Sequence, residues 1–251
     1  MNPETGRRAK PAAHLRLFCF PNAGGGAALL HSWLNGLPSV IDMQPIHLPG
    51  RDRRRAEPPF VHMDALIRDV AGVMESSLDL PFALFGHSVG GLMAFEMARE
   101  LRRRGLPAPV RLFVSAARAP QTTPSLAPIH HLPYQEFIDA LVKRYDAIPA
   151  PVLADQELMQ IFLPILRADL EILETYAYRP EAPLSCPITV LGGLQDSTVA
   201  RSQLESWQQQ TTDTCELHMF QGNHFFLREA RPQILDRICS DLPLRSLIAN
   251  G

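Results

Sequence analysis

A chain of 251 residues, 46% hydrophobic and 20% charged, has an ordinary composition for a soluble globular protein and is long enough to bury one large core. Its 24 basic and 26 acidic residues leave a formal net charge of −2, which argues against nucleic acid or an anionic membrane as a partner. No apolar run approaches the ~18 residues needed to cross a bilayer.

The polar, basic stretch 1–14 lacks the apolar segment of a secretory signal, and a flexible N-terminus is expected there. A first strand is expected over 15–20, followed by the glycine-rich loop Pro21-Asn22-Ala23-Gly24-Gly25-Gly26 and a helix over 27–36. A second strand over 43–48 leads to a basic run, Arg51, Arg53, Arg54 and Arg55, and then to a helix over 64–78. Strand 82–85 runs into Gly86-His87-Ser88-Val89-Gly90 and a helix over 88–104, and a fourth strand follows over 111–115. After it the rhythm breaks. Before the next strand, at 188–191, lie about 70 residues, too many for a simple crossover. They hold two helix candidates, 134–144 and 155–176. The second carries Leu158, Ile161, Phe162, Ile165, Leu166, Leu170 and Leu173 at three- and four-residue steps, with Pro164 expected to kink or split it. A helix over 199–209, a strand over 215–220 and a helix over 225–239 complete the pattern. Alternation of strand and helix implies an α/β fold with a mostly parallel sheet flanked by helices. Residues 15–118 and 181–243 form its core, and 119–180 form an insertion, either a lid or an extra packed layer.

The string Gly86-His87-Ser88-Val89-Gly90 fits G-x-S-x-G, weak alone but placed here between a strand and a helix, the setting of a nucleophile elbow. Gly86, Gly90 and Gly91 leave room for the strand and helix to close around a strained serine turn. A serine hydroxyl needs a base. Of nine histidines, only His224 lies on a loop after the last strand; His218 falls inside that strand, and His87 points away from the attacking face. The third member must hold the imidazole in one tautomer. Asp196 follows strand 188–191 through a Gly-Gly turn, whereas 116–128 contains no Asp or Glu. The order Ser88, Asp196, His224 is that of α/β-hydrolases. For the oxyanion, the backbone N–H groups of Val89 and of Ala23 in the glycine-rich loop are the expected donors. His130 and His131 have no carboxylate or cysteine at a ligand spacing, so no metal is expected. Trp33 and Trp207 read as core or surface anchors. The four cysteines, Cys19, Cys186, Cys215 and Cys239, are scattered without a Cys-x-x-Cys pair and suit reduced thiols in a cytoplasm.

Pro21-Asn22-Ala23-Gly24-Gly25, Trp33 with Leu37-Pro38, Pro49-Gly50-Arg51, the serine motif and Gly222-Asn223-His224-Phe225-Phe226-Leu227 together resemble, in order, the landmarks of the type II thioesterases, discrete editing hydrolases of polyketide and nonribosomal peptide synthases. The likeness runs from about Leu15 to Asp241. It maps the family's triad onto Ser88, Asp196 and His224 and its oxyanion donors onto Ala23 and Val89. Two positions depart: Val89 stands where the family often has methionine, and Gly91 where it often has alanine. The resemblance implies an acyl thioester on the phosphopantetheine arm of an acyl or peptidyl carrier protein, no cofactor of the chain's own, and an insertion that covers an acyl chamber. Carrier proteins are usually acidic, and the 51–55 arginines are either a greeting surface or a solvated basic loop. No coiled coil suggests more than a monomer. Competing readings are a medium-chain fatty acyl-carrier thioesterase that releases product, a general carboxylesterase, and a catalytically silent carrier-binding protein on the same scaffold.

Overall fold

The computed structural model of the chain describes residues 13–28, 33, 34, 36–145 and 155–249. Strand β1, Leu15–Phe20, shows how the sheet is covered on both faces. Side chains alternate across a strand: Leu15, Leu17 and Cys19 enter one core cluster, Phe18 and Phe20 the other. The same split recurs in β3, Phe82–His87, and β4, Arg111–Ser115. Strands β2 (Ile41–Pro45), β5 (Ile188–Gly193) and β6 (Cys215–Phe220) complete a six-stranded sheet of order β2-β1-β3-β4-β5-β6 in which every pairing is parallel. Helices α1 (Met63–Met74) and α2 (Val89–Arg103) bury their apolar stripes in the first cluster. Helix α6 (Arg231–Asp241) covers the opposite face with Ile234, Leu235 and Ile238. Both tryptophans are core: Trp33 meets the Phe85 ring edge-on and Trp207 is fully buried beside Phe95.

Chain order sets the location of the crevice. The chain passes from β1 outward to β2 and then returns to the other side of β1 as β3, so β1 and β3 are neighbours whose connections diverge. Such a switch point opens a crevice at the carboxyl ends of the strands. The register pairs Phe20 with Gly86, so the 21–26 loop and Ser88 leave the sheet side by side. At the far end Gly193 pairs with Phe220, which brings the turns carrying Asp196 and His224 together.

Several expected bounds shift. The second strand is Ile41–Pro45 and not 43–48, because polar Asp42 is a strand residue, buried and facing the guanidinium of Arg16 at 3.4 Å. The helix expected over 225–239 begins only at Arg231: residues 221–230 form turns, and Pro232 sits in the helix's first turn, where its missing N–H costs nothing. The helix expected over 199–209 is a short α5, Arg201–Glu205, continued as a 3-10 turn over Ser206–Gln210. A last helix, α7 (Leu244–Ala249), was not expected. The flexible start expected over 1–14 lies mostly, and the helix expected over 27–36 half, outside the described residues.

Between β4 and β5 stand α3 (Tyr134–Tyr145) and α4 (Gln156–Thr175). Asp155 caps α4, its carboxylate accepting from the N–H groups of Glu157 and Leu158. Pro164 does not split α4. Pro164 and Gln160, whose carbonyl loses its partner, both lie on the exposed side, where water can satisfy that oxygen. The expected apolar stripe is only partly core. Leu166 and Leu170 join Met159, Leu163, Phe137, Leu141 and Ile129 in a separate cluster, but Leu158 and Ile161 face out.

Candidate active site

Ser88 occupies the turn between β3 and α2 with φ 57° and ψ −124°, a strained conformation for a residue with a side chain. Its N–H donates to the Ser115 carbonyl of β4 at 2.8 Å, and its carbonyl accepts from Gly91 at 2.9 Å, which holds the turn. The glycines are obligatory. A Cβ at Gly86 would stand 1.9 Å from the Gly90 carbonyl oxygen, and one at Gly90 would stand 2.4 Å from that of Pro21. The elbow closes because both positions lack a side chain.

The three residues singled out from sequence meet at this turn. His224 Nε2 lies 3.0 Å from Ser88 Oγ, and His224 Nδ1 lies 2.8 Å from Asp196 Oδ2. Asp196 is held in turn by Thr198, whose N–H and hydroxyl donate to Oδ1 at 2.8 and 2.7 Å. Burial pushes the Asp196 carboxyl up, but the hydrogen bond and charge of His224 and the Thr198 donors outweigh it and hold the group below the usual carboxylate range. The carboxyl is therefore ionised at neutral pH. Thr198 also reaches His224 Nδ1 at 2.9 Å. Its role was not anticipated, although a threonine two residues after a turn aspartate is a recognisable side-chain-to-backbone turn signal.

His87 packs beside His224. Its ring centroid lies 5.4 Å from that of His224, its Nδ1 lies 2.9 Å from Ser115 Oγ, and burial pushes its pKa down to about 3. It is thus a neutral ring packed against that of His224. His218 sits on β6, 3.5 Å from Glu216. His130 Nδ1 contacts Glu174 Oε2 at 2.6 Å.

Val89 opens α2, so its amide is among those a helix leaves without intrahelical acceptors. Ala23 lies in the 21–26 loop, and a small cavity of about 20 Å³ is bounded by Ala23, Ser88, His224, Tyr145 and Leu170. Among the described residues, neither the Val89 nor the Ala23 amide donates to a protein acceptor. A larger cavity of about 120 Å³ also reaches Ser88 and His224, walled mainly by Leu92, Leu126, Tyr145, Leu173 and Val199, with Arg118, Arg144 and Glu174 at its edge. Tyr145 of α3 borders both. Its ring lies 5.5 Å from that of His224, and burial pushes its pKa up to about 12, so its hydroxyl stays protonated. Chemically, the arrangement can take a proton from a serine hydroxyl, return it to a leaving group, and place an acyl group in an apolar space.

The basic run behaves differently from expectation. Arg51 is buried against Asp169, and Arg54 is engaged by Glu57 and Asp69. Only Arg53 and Arg55 remain exposed.

Residues 15–242 match the model of the thioesterase domain family. The gramicidin S biosynthesis protein GrsT of Aneurinibacillus migulanus is 40% identical over 233 residues, covering 93% of this chain and 91% of that protein. The solved structure of RedJ, a thioesterase from the prodiginine biosynthetic pathway of Streptomyces coelicolor, matches with a TM-score of 0.86 at 36% identity over 93% of this chain and 87% of RedJ. YbtT, a type II thioesterase from the yersiniabactin pathway, matches with a TM-score of 0.84 at 29% identity, covering 94% and 96% of the two chains.

Proposed function

The chain belongs to the thioesterase family, and from that premise we propose that it removes acyl groups from the phosphopantetheine arm of acyl or peptidyl carrier proteins, as an editing enzyme of polyketide or nonribosomal peptide synthesis. The observation that carries this reading is the unbroken hydrogen-bond chain from Ser88 through His224 to Asp196 beside an apolar cavity. The similarity to GrsT and YbtT, proteins of such pathways, supports the carrier-bound substrate.

In this reading Ser88 Oγ attacks the thioester carbonyl while His224 Nε2 accepts its proton, and Asp196 stabilises the imidazolium. The amides of Ala23 and Val89 hold the tetrahedral oxyanion. Collapse breaks the C–S bond, and His224 returns the proton to the departing pantetheine sulfur. A water molecule then attacks the acyl-serine, giving its proton to His224. The second tetrahedral adduct releases the carboxylic acid and restores the serine hydroxyl. A thioester is already activated, so positioning and oxyanion stabilisation carry most of the catalysis.

No cofactor bound to the chain enters these steps; the pantetheine arm arrives with the partner. Helices α3 and α4 serve as the lid, the large cavity takes the acyl group, and the enzyme works as a cytoplasmic monomer. A cavity of about 150 Å³ accommodates benzene; at about 120 Å³ this one suits acyl groups of a few carbons. The purified chain is expected to hydrolyse short acyl-carrier thioesters faster than long ones and far faster than simple oxygen esters. Faster oxygen-ester turnover would overturn the assignment. Intact-mass spectrometry should find an acyl adduct on the wild type and none on Ser88→Ala, whose circular dichroism should be unchanged.

A further inference from the structure

Asp169 lies on α4, far in sequence from the elbow, and is 1% exposed. Its carboxylate receives Arg51 in a bidentate pair, Nη1 donating to Oδ2 at 2.6 Å and Nη2 to Oδ1 at 2.7 Å. Both partners also grip the 21–26 loop. The Gly24 N–H donates to Asp169 Oδ2 at 2.8 Å, and Arg51 Nη1 donates to the Gly25 carbonyl at 3.0 Å. The loop is pressed against the same helix. Gly24 has φ +68°, and a Cβ added there would fall 2.8 Å from the Phe162 ring and 3.3 Å from Leu166.

A buried ion pair contributes little net stability, since desolvation offsets most of the attraction. Its distinguishing property is direction: a planar guanidinium against a carboxylate fixes orientation as an apolar contact cannot. Here that fixed unit holds a loop one peptide unit away from the Ala23 amide. Leu166 and Leu170, on the same helix, line the small cavity that Ala23 and Ser88 share. Helix α4 thus shapes the space above the serine and anchors the loop beside it.

We infer that Arg51 and Asp169 are positioning residues that fix the 21–26 loop through α4, so that the Ala23 amide faces the oxyanion. This rests on the donor role proposed for Ala23. The pair touches neither substrate nor reacting atoms and acts only through the loop. An oxyanion donor is useful only when held where charge develops, and a misplacement of about 1 Å can cost on the order of a hundredfold in rate. The cost should therefore fall on the transition state and spare binding of the ground state.

The test compares wild type, Asp169→Asn, and the double variant Arg51→Met/Asp169→Leu, which removes the pair without leaving a buried charge unpartnered. Three quantities are read on each: kcat and KM for a short acyl thioester, the inhibition constant of a trifluoromethyl ketone that adds Ser88 and so presents an oxyanion, and the affinity of an unreactive thioether of the same shape. Both variants should lose about tenfold to a hundredfold in kcat and a similar factor in ketone affinity. Thioether affinity should stay within about threefold and the melting transition cooperative. If the double variant keeps the wild-type kcat and ketone affinity, the assignment is overturned. Equal losses of ketone and thioether affinity would also overturn it, by showing a merely structural role. If the wild type itself forms no Ser88 adduct with the ketone, the active-site reading falls first and this assignment with it.

Discussion

His224 has two ring nitrogens and two different partners, so its tautomer is set from the Asp196 side and its reactivity is spent on the Ser88 side. Replacing Asp196 by Asn keeps the shape but offers a donor where an acceptor is needed, which favours the wrong tautomer. Asp196→Asn is expected to lower kcat by about 10³–10⁴ with little change in KM, measured by steady-state thioester hydrolysis. Beside His224, His87 makes a prediction about stability. Burial holds its folded pKa at about 3, against about 6.5 in an unfolded chain. Above pH 6.5 neither state binds the proton, and His87 contributes no pH dependence. As the pH falls from 6.5 toward 3, only the unfolded chain takes it up, so the native state loses ~1.4 kcal/mol per pH unit. Urea midpoints between pH 4 and pH 7 should fall more steeply for the wild type than for His87→Gln; parallel slopes would contradict the buried neutral state.

At the scale of elements, the elbow is a packing problem solved by missing side chains. The β3 strand enters and the α2 helix leaves within van der Waals contact, and the would-be Cβ of Gly86 collides with backbone, which cannot rotate away. Gly86→Ala is therefore expected to cost at least about 3 kcal/mol and most of the activity, read as a lowered melting temperature and lost turnover. Gly105, which ends α2 with φ +68° and has open space around its α-carbon, makes a control for the crowding effect: alanine there meets only backbone strain. Other elements were misread from the sequence for reasons that lie in pairing. Strand β2 starts two residues before the expected 43 and includes Asp42, which Arg16 on the neighbouring strand and Gln44 satisfy inside the sheet. The 225–239 helix looked continuous in its apolar residues, yet Pro232 marks its true first turn and frees 221–230 for the loop that carries His224.

For the whole molecule, the inserted helices are not a separate body. Ala23 and Leu173 pack against both the α3–α4 cluster and the main core, Ile172 of α4 belongs to the main core, and Asp169 is bound to Arg51. Helices so anchored should unfold with the sheet. Far-UV circular dichroism and tryptophan fluorescence, the latter reporting Trp33 and Trp207 in the body, should give coincident urea transitions; an earlier helical transition would mean that the insertion melts independently. What the sequence by itself determined was local and periodic: all six strand positions to within three residues, the strand–turn–helix setting of Ser88, and the order of Ser88, Asp196 and His224 along the chain. These were legible because side-chain periodicity, glycine sterics and turn chemistry act over a few neighbours. The tertiary structure alone decided which strands adjoin, that Arg51 belongs to Asp169 and not to the solvent, that Thr198 braces both Asp196 and His224, and that Tyr145 borders both cavities at the serine. Each of those facts depends on residues tens of positions apart meeting in a buried place, where the partner of a polar group is fixed by packing and leaves no periodic trace in the chain.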